Sequence, residues 1–91
     1  MSSTRRSVPL LHRTGLHLRA AGRFAETANK YKSDVRLTVT GRRVNAKSVL
    51  DILTLGAGPG VELVLEADGC DAEDALTELV TLVKNNFGED Y

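Results

Sequence analysis

LRAAGRFAETANKYKSDVRLTVT, residues 18–40, changes its hydrophobic period halfway along, and that change decides the fold class. Ala21, Phe24, Ala25, Ala28 and Tyr31 recur at spacings of three and four, one face of a helix. Arg19, Arg23, Glu26 and Lys30 fall largely off that stripe and can stay in water. Lys32, Ser33 and Asp34 close the segment. Val35, Leu37 and Val39 then alternate with Arg36, Thr38 and Thr40, the pattern of a strand with one wet face. Thr40-Gly41-Arg42 reads as a tight turn in which glycine relieves a positive φ. A short return strand follows over residues 43–46.

Working outward, Val8-Pro9-Leu10-Leu11 fits a first strand, with Pro9 limiting it to an edge or a strand start. Residues 1–6 are polar and then basic and are predicted to form a flexible tail, leaving 7–91 as a single domain. Ser48-Val-Leu-Asp51 has capping-box spacing ahead of a short helix, which the glycines at 56, 58 and 60 and Pro59 end. Val61, Leu63, Leu65 and Ala67 alternate as another strand. Asp71 is expected to cap a last helix with Glu73 and Asp74 in its first turn and Lys84 at its far end. The tail Glu89-Asp90-Tyr91 is expected to be loose. The order βαββαβα, with each element apolar on one side, predicts an α+β two-layer open-faced sandwich, an antiparallel sheet with three helices on one face. The pattern leaves the strand order open.

Composition narrows the function. Twelve basic and twelve acidic residues cancel, which argues against bulk attraction to nucleic acid or an anionic membrane. Apolar runs are far shorter than a membrane span. The one cysteine, Cys70, has no internal disulfide partner, the usage of a reduced, cytoplasmic protein. His17 immediately precedes the first helix, where unpartnered backbone N–H groups and the helix dipole favour an anion and disfavour imidazolium. A lowered pKa is therefore expected there, and a neutral imidazole is a nucleophile that can take a phosphoryl group. Arg19 can fold its guanidinium over the phosphate oxygens. The plainer reading of such a histidine is a cap or surface residue. His12 is the poorer candidate, and no carboxylate or thiolate stands near the two histidines in sequence, so no metal site is expected.

Gly15-Leu-His-Leu-Arg-Ala-Ala21 resembles the phosphohistidine signature of HPr, the phosphocarrier of the bacterial phosphotransferase system, whose usual form is G-[LMI]-H-A-R-P-A. Lys47-Ser-Val-Leu-Asp-Ile-Leu-Thr-Leu55 resembles the family's second signature, and the similarity runs over residues 7–88. The resemblance implies strand order 1-4-2-3. It implies phosphorylation of His17 on its δ nitrogen by enzyme I, with phosphoenolpyruvate as ultimate donor, support from Arg19, and transfer to an IIA-type acceptor. It implies no cofactor and a monomer that is a carrier and not an enzyme. Ser48 aligns with the serine that an HPr kinase phosphorylates in some members. Leu50 and Leu53 match partner-docking positions, joined by Leu18, Arg23 and Lys47. Two residues depart from the pattern: Ala20 stands for the family's proline, and Leu18 for a small residue. These keep open a regulatory paralogue of the nitrogen- or carbon-control branch. An acylphosphatase-like enzyme using Arg19 and Asn45 is a further alternative, but it leaves His17 without a role. A bare ligand- or RNA-binding sandwich is the fourth; so few aromatic residues argue against RNA.

Overall fold

The computed structural model describes residues 3–89. The elements are β1 (Ser3–Pro9), α1 (Leu18–Ala28), β2 (Asp34–Val39), β3 (Arg42–Asn45), α2 (Val49–Leu53), β4 (Glu62–Asp68) and α3 (Ala72–Lys84), then one 3-10 turn over Asn86–Gly88. The four strands form one antiparallel sheet in the order β1-β4-β2-β3. This is the open-faced sandwich, with the strand order the family resemblance implied.

Strand alternation sorts the sheet into two faces. Val8, Val35, Leu37, Val39, Leu63, Leu65 and Ala67 are buried under the helices, together with Ala21, Phe24, Ala25 and Ala28 of α1 and Ala72, Ala75, Leu76, Leu79 and Val83 of α3. Large side chains buried this completely are each worth about 1.5–3 kcal/mol, and conformational entropy opposes most of it. On the open face the register sets Glu66 opposite both Arg5 and Arg36. β2 and β3 meet at Thr40 and Gly41, both with positive φ (51° and 82°), the backbone of a two-residue hairpin turn.

Two expectations are corrected. Residues 3–6 are not a tail: they continue β1 and pair with Asp68 through Leu65 of β4. Met1 and Ser2 lie outside the described residues. No apolar run marks this stretch because its hold is a backbone ladder, assisted by the Arg6–Glu73 ion pair (2.9 Å) to α3. Asp71 stands at the N-terminus of α3 but its side chain makes no cap bond there. It accepts instead from the Lys32 and Ser33 backbone N–H groups (2.8 and 2.9 Å) and from the Ser33 hydroxyl, tying the α1–β2 connection to α3.

The hydrogen bond from Ser33, then that from the Lys32 amide, outweigh burial and hold the Asp71 carboxyl down at about 2, against an ordinary 3.8. A depressed acid stabilises the fold above its unfolded pKa and loses that contribution as pH falls through the folded value. Urea midpoints measured against pH should therefore fall between 3.8 and about 2, and Asp71→Asn should flatten that part of the curve.

Candidate functional site

The residues before α1 form a loop held by backbone hydrogen bonds. Gly15 N–H donates to the His12 carbonyl (3.0 Å) and Leu16 N–H to the Ala57 carbonyl (2.9 Å). Gly15 holds φ +70°, and a Cβ there would lie 2.4 Å from the Ala57 oxygen, so only glycine fits. Leu16 is buried as the anchor, and His17 follows as the N-cap of α1, its carbonyl receiving the Ala21 N–H at 2.8 Å. No side chain caps α1 and no acidic residue stands in its first turn. Its leading amides and dipole thus favour an anion there.

The His17 side chain is 33% exposed. Its Nε2 lies 3.2 Å from Glu89 Oε1. The same oxygen lies 2.6 Å from His12 Nε2, and Glu89 Oε2 accepts from Arg19 Nη1 at 3.3 Å. The two imidazole rings are 5.2 Å apart, and Phe87 packs edge-on against His12. Thr14 completes the arrangement, its N–H donating to His12 Nδ1 (3.2 Å) and its hydroxyl lying 2.9 Å from the same nitrogen. Since Nδ1 accepts from that amide, the proton of the neutral His12 ring sits on Nε2 and is donated to Glu89. Burial by itself raises the Glu89 carboxyl; the hydrogen bonds it shares with His12 and His17 override that and bring the acid below its usual range. Glu89 is therefore a carboxylate at neutral pH, and its side chain is only 13% exposed.

A backbone reversal delivers Glu89. Asn86, Phe87 and Gly88 all hold positive φ (54°, 58° and 76°), which turns the chain back from the end of α3. Left-handed geometry costs an ordinary residue about 1–2 kcal/mol. Complete burial of the Phe87 ring and the bond from Arg23 Nη1 to the Phe87 carbonyl offset that cost.

Of the residues singled out from sequence, His17, Arg19 and Arg23 line one cleft of about 670 Å³ with His12, Arg13, Thr14, Gly88 and Glu89. Lys47, Ser48, Leu50 and Leu53 lie outside that lining. Lys47 donates to the Tyr31 carbonyl (2.7 Å), so it ties the α1–β2 connection to the segment before α2. Ser48 caps α2 by accepting the Asp51 N–H at 3.2 Å. Leu18 and Leu50 are exposed (67% and 75%), whereas Leu53 is half-buried against the core. Asn45 accepts from the Lys47 N–H away from this cleft, so Arg19 and Asn45 do not form the pair an acylphosphatase-like reading needs.

Two members of the site escaped the sequence reading. His12, the poorer candidate in sequence, is buried and turned into the cleft; the inward parity of Val8 and Leu10 continues to it and was the available signal. Glu89 was expected to be loose and is instead the carboxylate that joins both histidines. Nothing local announces it. Asp90 and Tyr91 lie outside the described residues.

This sandwich, with a half-exposed imidazole at an uncapped helix start, has the architecture of a histidine phosphocarrier of the phosphotransferase system. Residues 4–85 match the family model described as the PTS HPr component phosphorylation site. The phosphocarrier protein HPr of Neisseria meningitidis is 38% identical over 85 residues, covering 93% of this chain and 96% of that protein. The HPr of Cupriavidus necator is 37% identical over 84 residues, covering 92% and 94%. Among solved structures, HPr-C-His from Thermoanaerobacter tengcongensis superposes with a TM-score of 0.92 at 36% identity, covering 97% of this chain and 99% of that one. Crh, the Bacillus subtilis catabolite repression protein, gives 0.73 at 40% identity, covering 80% and 84%. The chain belongs to the HPr family of phosphocarrier proteins.

Because Gly15 meets backbone, Gly15→Ala should destabilise the protein by about 1–3 kcal/mol in urea unfolding. The same change at Gly41, where φ is also positive but no atom lies within 4 Å, should cost less.

Proposed function

We propose that His17 accepts a phosphoryl group on Nδ1 from phosphorylated enzyme I and passes it to an IIA-type protein. The observation that carries this reading is the contact of His17 Nε2 with Glu89 (3.2 Å). A proton held on Nε2 by a carboxylate leaves the Nδ1 lone pair available. In the transfer, that lone pair forms the N–P bond while the bond from phosphorus to the donor's nitrogen breaks. The ring becomes cationic with its proton still on Nε2, beside the Glu89 carboxylate. The phosphoryl oxygens meet the uncapped amides of α1 and Arg19. Arg19 is well exposed and its pair with Glu89 is 3.3 Å long, a weak tie that an arriving dianion can displace. Return of the group reverses each step, and the acceptor protein supplies the rest of its own site.

Leu18 and Leu50, exposed on the neighbouring helices α1 and α2, supply the apolar part of a docking face, with Arg23 adding attraction to acidic partners. Lys47 and Leu53, both tied into the fold, support that face rather than project from it. Modification of Ser48 by an HPr kinase would set phosphate oxygens, good acceptors, at the start of α2 and add negative charge beside Leu50. Likeness to Crh favours a second reading, a regulator that acts by binding its partner.

Phosphoenolpyruvate-dependent labelling with enzyme I tests the proposal. Wild type and Ser48→Ala should take acid-labile label, His17→Ala should take none, and Arg19→Ala should label roughly 100-fold more slowly. Label retained by His17→Ala would overturn the assignment, and a wild type that binds an IIA protein but takes no label would favour the regulator.

A further inference from the structure

The geometry points to a second property of the same cleft: His12, His17 and Glu89 form a binding site for a nitrogen-preferring divalent transition metal, Zn²⁺ foremost. Among the described residues, these three bring one ligating atom each to within 4.8 Å of one another. Two imidazole nitrogens and a carboxylate oxygen are a donor set that zinc takes with a fourth position open to water. Tetrahedral zinc at its usual bond lengths sets donors about 3.3 Å apart. The His17–Glu89 separation is 3.2 Å already, and the His12–Glu89 separation of 2.6 Å needs to widen by less than an ångström.

Supporting bonds stand where a metal needs them. Arg19 donates to Glu89 Oε2, the oxygen not shared by the histidines, and so leaves Oε1 to the metal. Metal bound at His12 Nε2 requires the ring proton on Nδ1, where the Thr14 hydroxyl at 2.9 Å can accept it; the longer bond from the Thr14 amide, 3.2 Å, is the one given up. His12 and Glu89 are held on the inner side of the cleft, while His17 faces its open side. Arg13, Arg19 and Arg23 line the same cleft and oppose a second cation. That environment excludes Mg²⁺ and Ca²⁺, which depend on several carboxylate oxygens, and leaves metals that bond well to imidazole.

Metal binding and phosphoryl acceptance exclude each other in this arrangement. Zinc on His17 Nε2 moves the ring proton to Nδ1 and removes the lone pair the transfer needs. This consequence rests on the phosphocarrier reading; the binding itself does not.

The test is calorimetric titration of the untagged full chain with Zn²⁺, in a Cys70→Ser background that removes the exposed thiol, with Mg²⁺ as the control. One equivalent of Zn²⁺ should bind, Mg²⁺ should not, and Glu89→Gln and His12→Asn should each weaken binding by roughly tenfold or more. ¹⁵N spectra should show both Nε2 resonances shifting with zinc, a readout that holds even if one variant folds poorly. Zinc affinity unchanged in Glu89→Gln, or ring nitrogens that do not respond, would overturn the site. With binding established, one equivalent of Zn²⁺ should slow labelling of His17. Failure of that step alone would count against the mutual exclusion and leave the site standing.

Discussion

One carboxylate organises the chemistry of this chain. Glu89 receives two imidazoles on one oxygen and a guanidinium on the other. It stands between two imidazole rings whose centroids are 5.2 Å apart. In the proposed transfer, its contact with His17 is what keeps the proton on Nε2 of that ring and leaves Nδ1 for chemistry. The contact depends on a left-handed reversal after α3, which persists because a buried ring and an arginine over-determine it.

The sheet supplies the frame for that contact. Placing β4 between β1 and β2 makes the chain's first strand an edge neighbour of its last. α3 packs on β1 and β4, so its C-terminal end reaches the loop that leaves β1. His12 sits on that loop, and Gly15 and Leu16 lock the loop onto Ala57. Residues 12, 17 and 89 meet because the sheet closes the two ends of the chain onto one corner. The most exposed partner of Glu89 in the arrangement is Arg19, which in the proposed transfer exchanges one anion for another.

Most elements could be read from hydrophobic period, because each helix and strand keeps one clear apolar side. The stripe from Ala21 to Ala28 and the alternation of Val35, Leu37 and Val39 are both buried as their spacing requires. The start of β1 was not readable, since Thr4 and Arg6 on a sheet edge are held by backbone pairing and carry no apolar signature. Asp71 misled for a related reason. A residue with the composition of a cap satisfied amides from another loop instead, a choice that depends on where α1 ends in space.

The sequence by itself determined the class of fold, the ring that stands at the first helix start, and the arginine two places on, because those follow from periodicity and from a few adjacent residues. Tertiary structure alone decided that His12 turns inward beside His17 and that Glu89 arrives from the far end of the chain to bridge them. Such contacts span 77 and 72 residues, and no local pattern encodes them. They exist only once the sheet has set its strand order and the left-handed turn has aimed the last described residue back at the first helix.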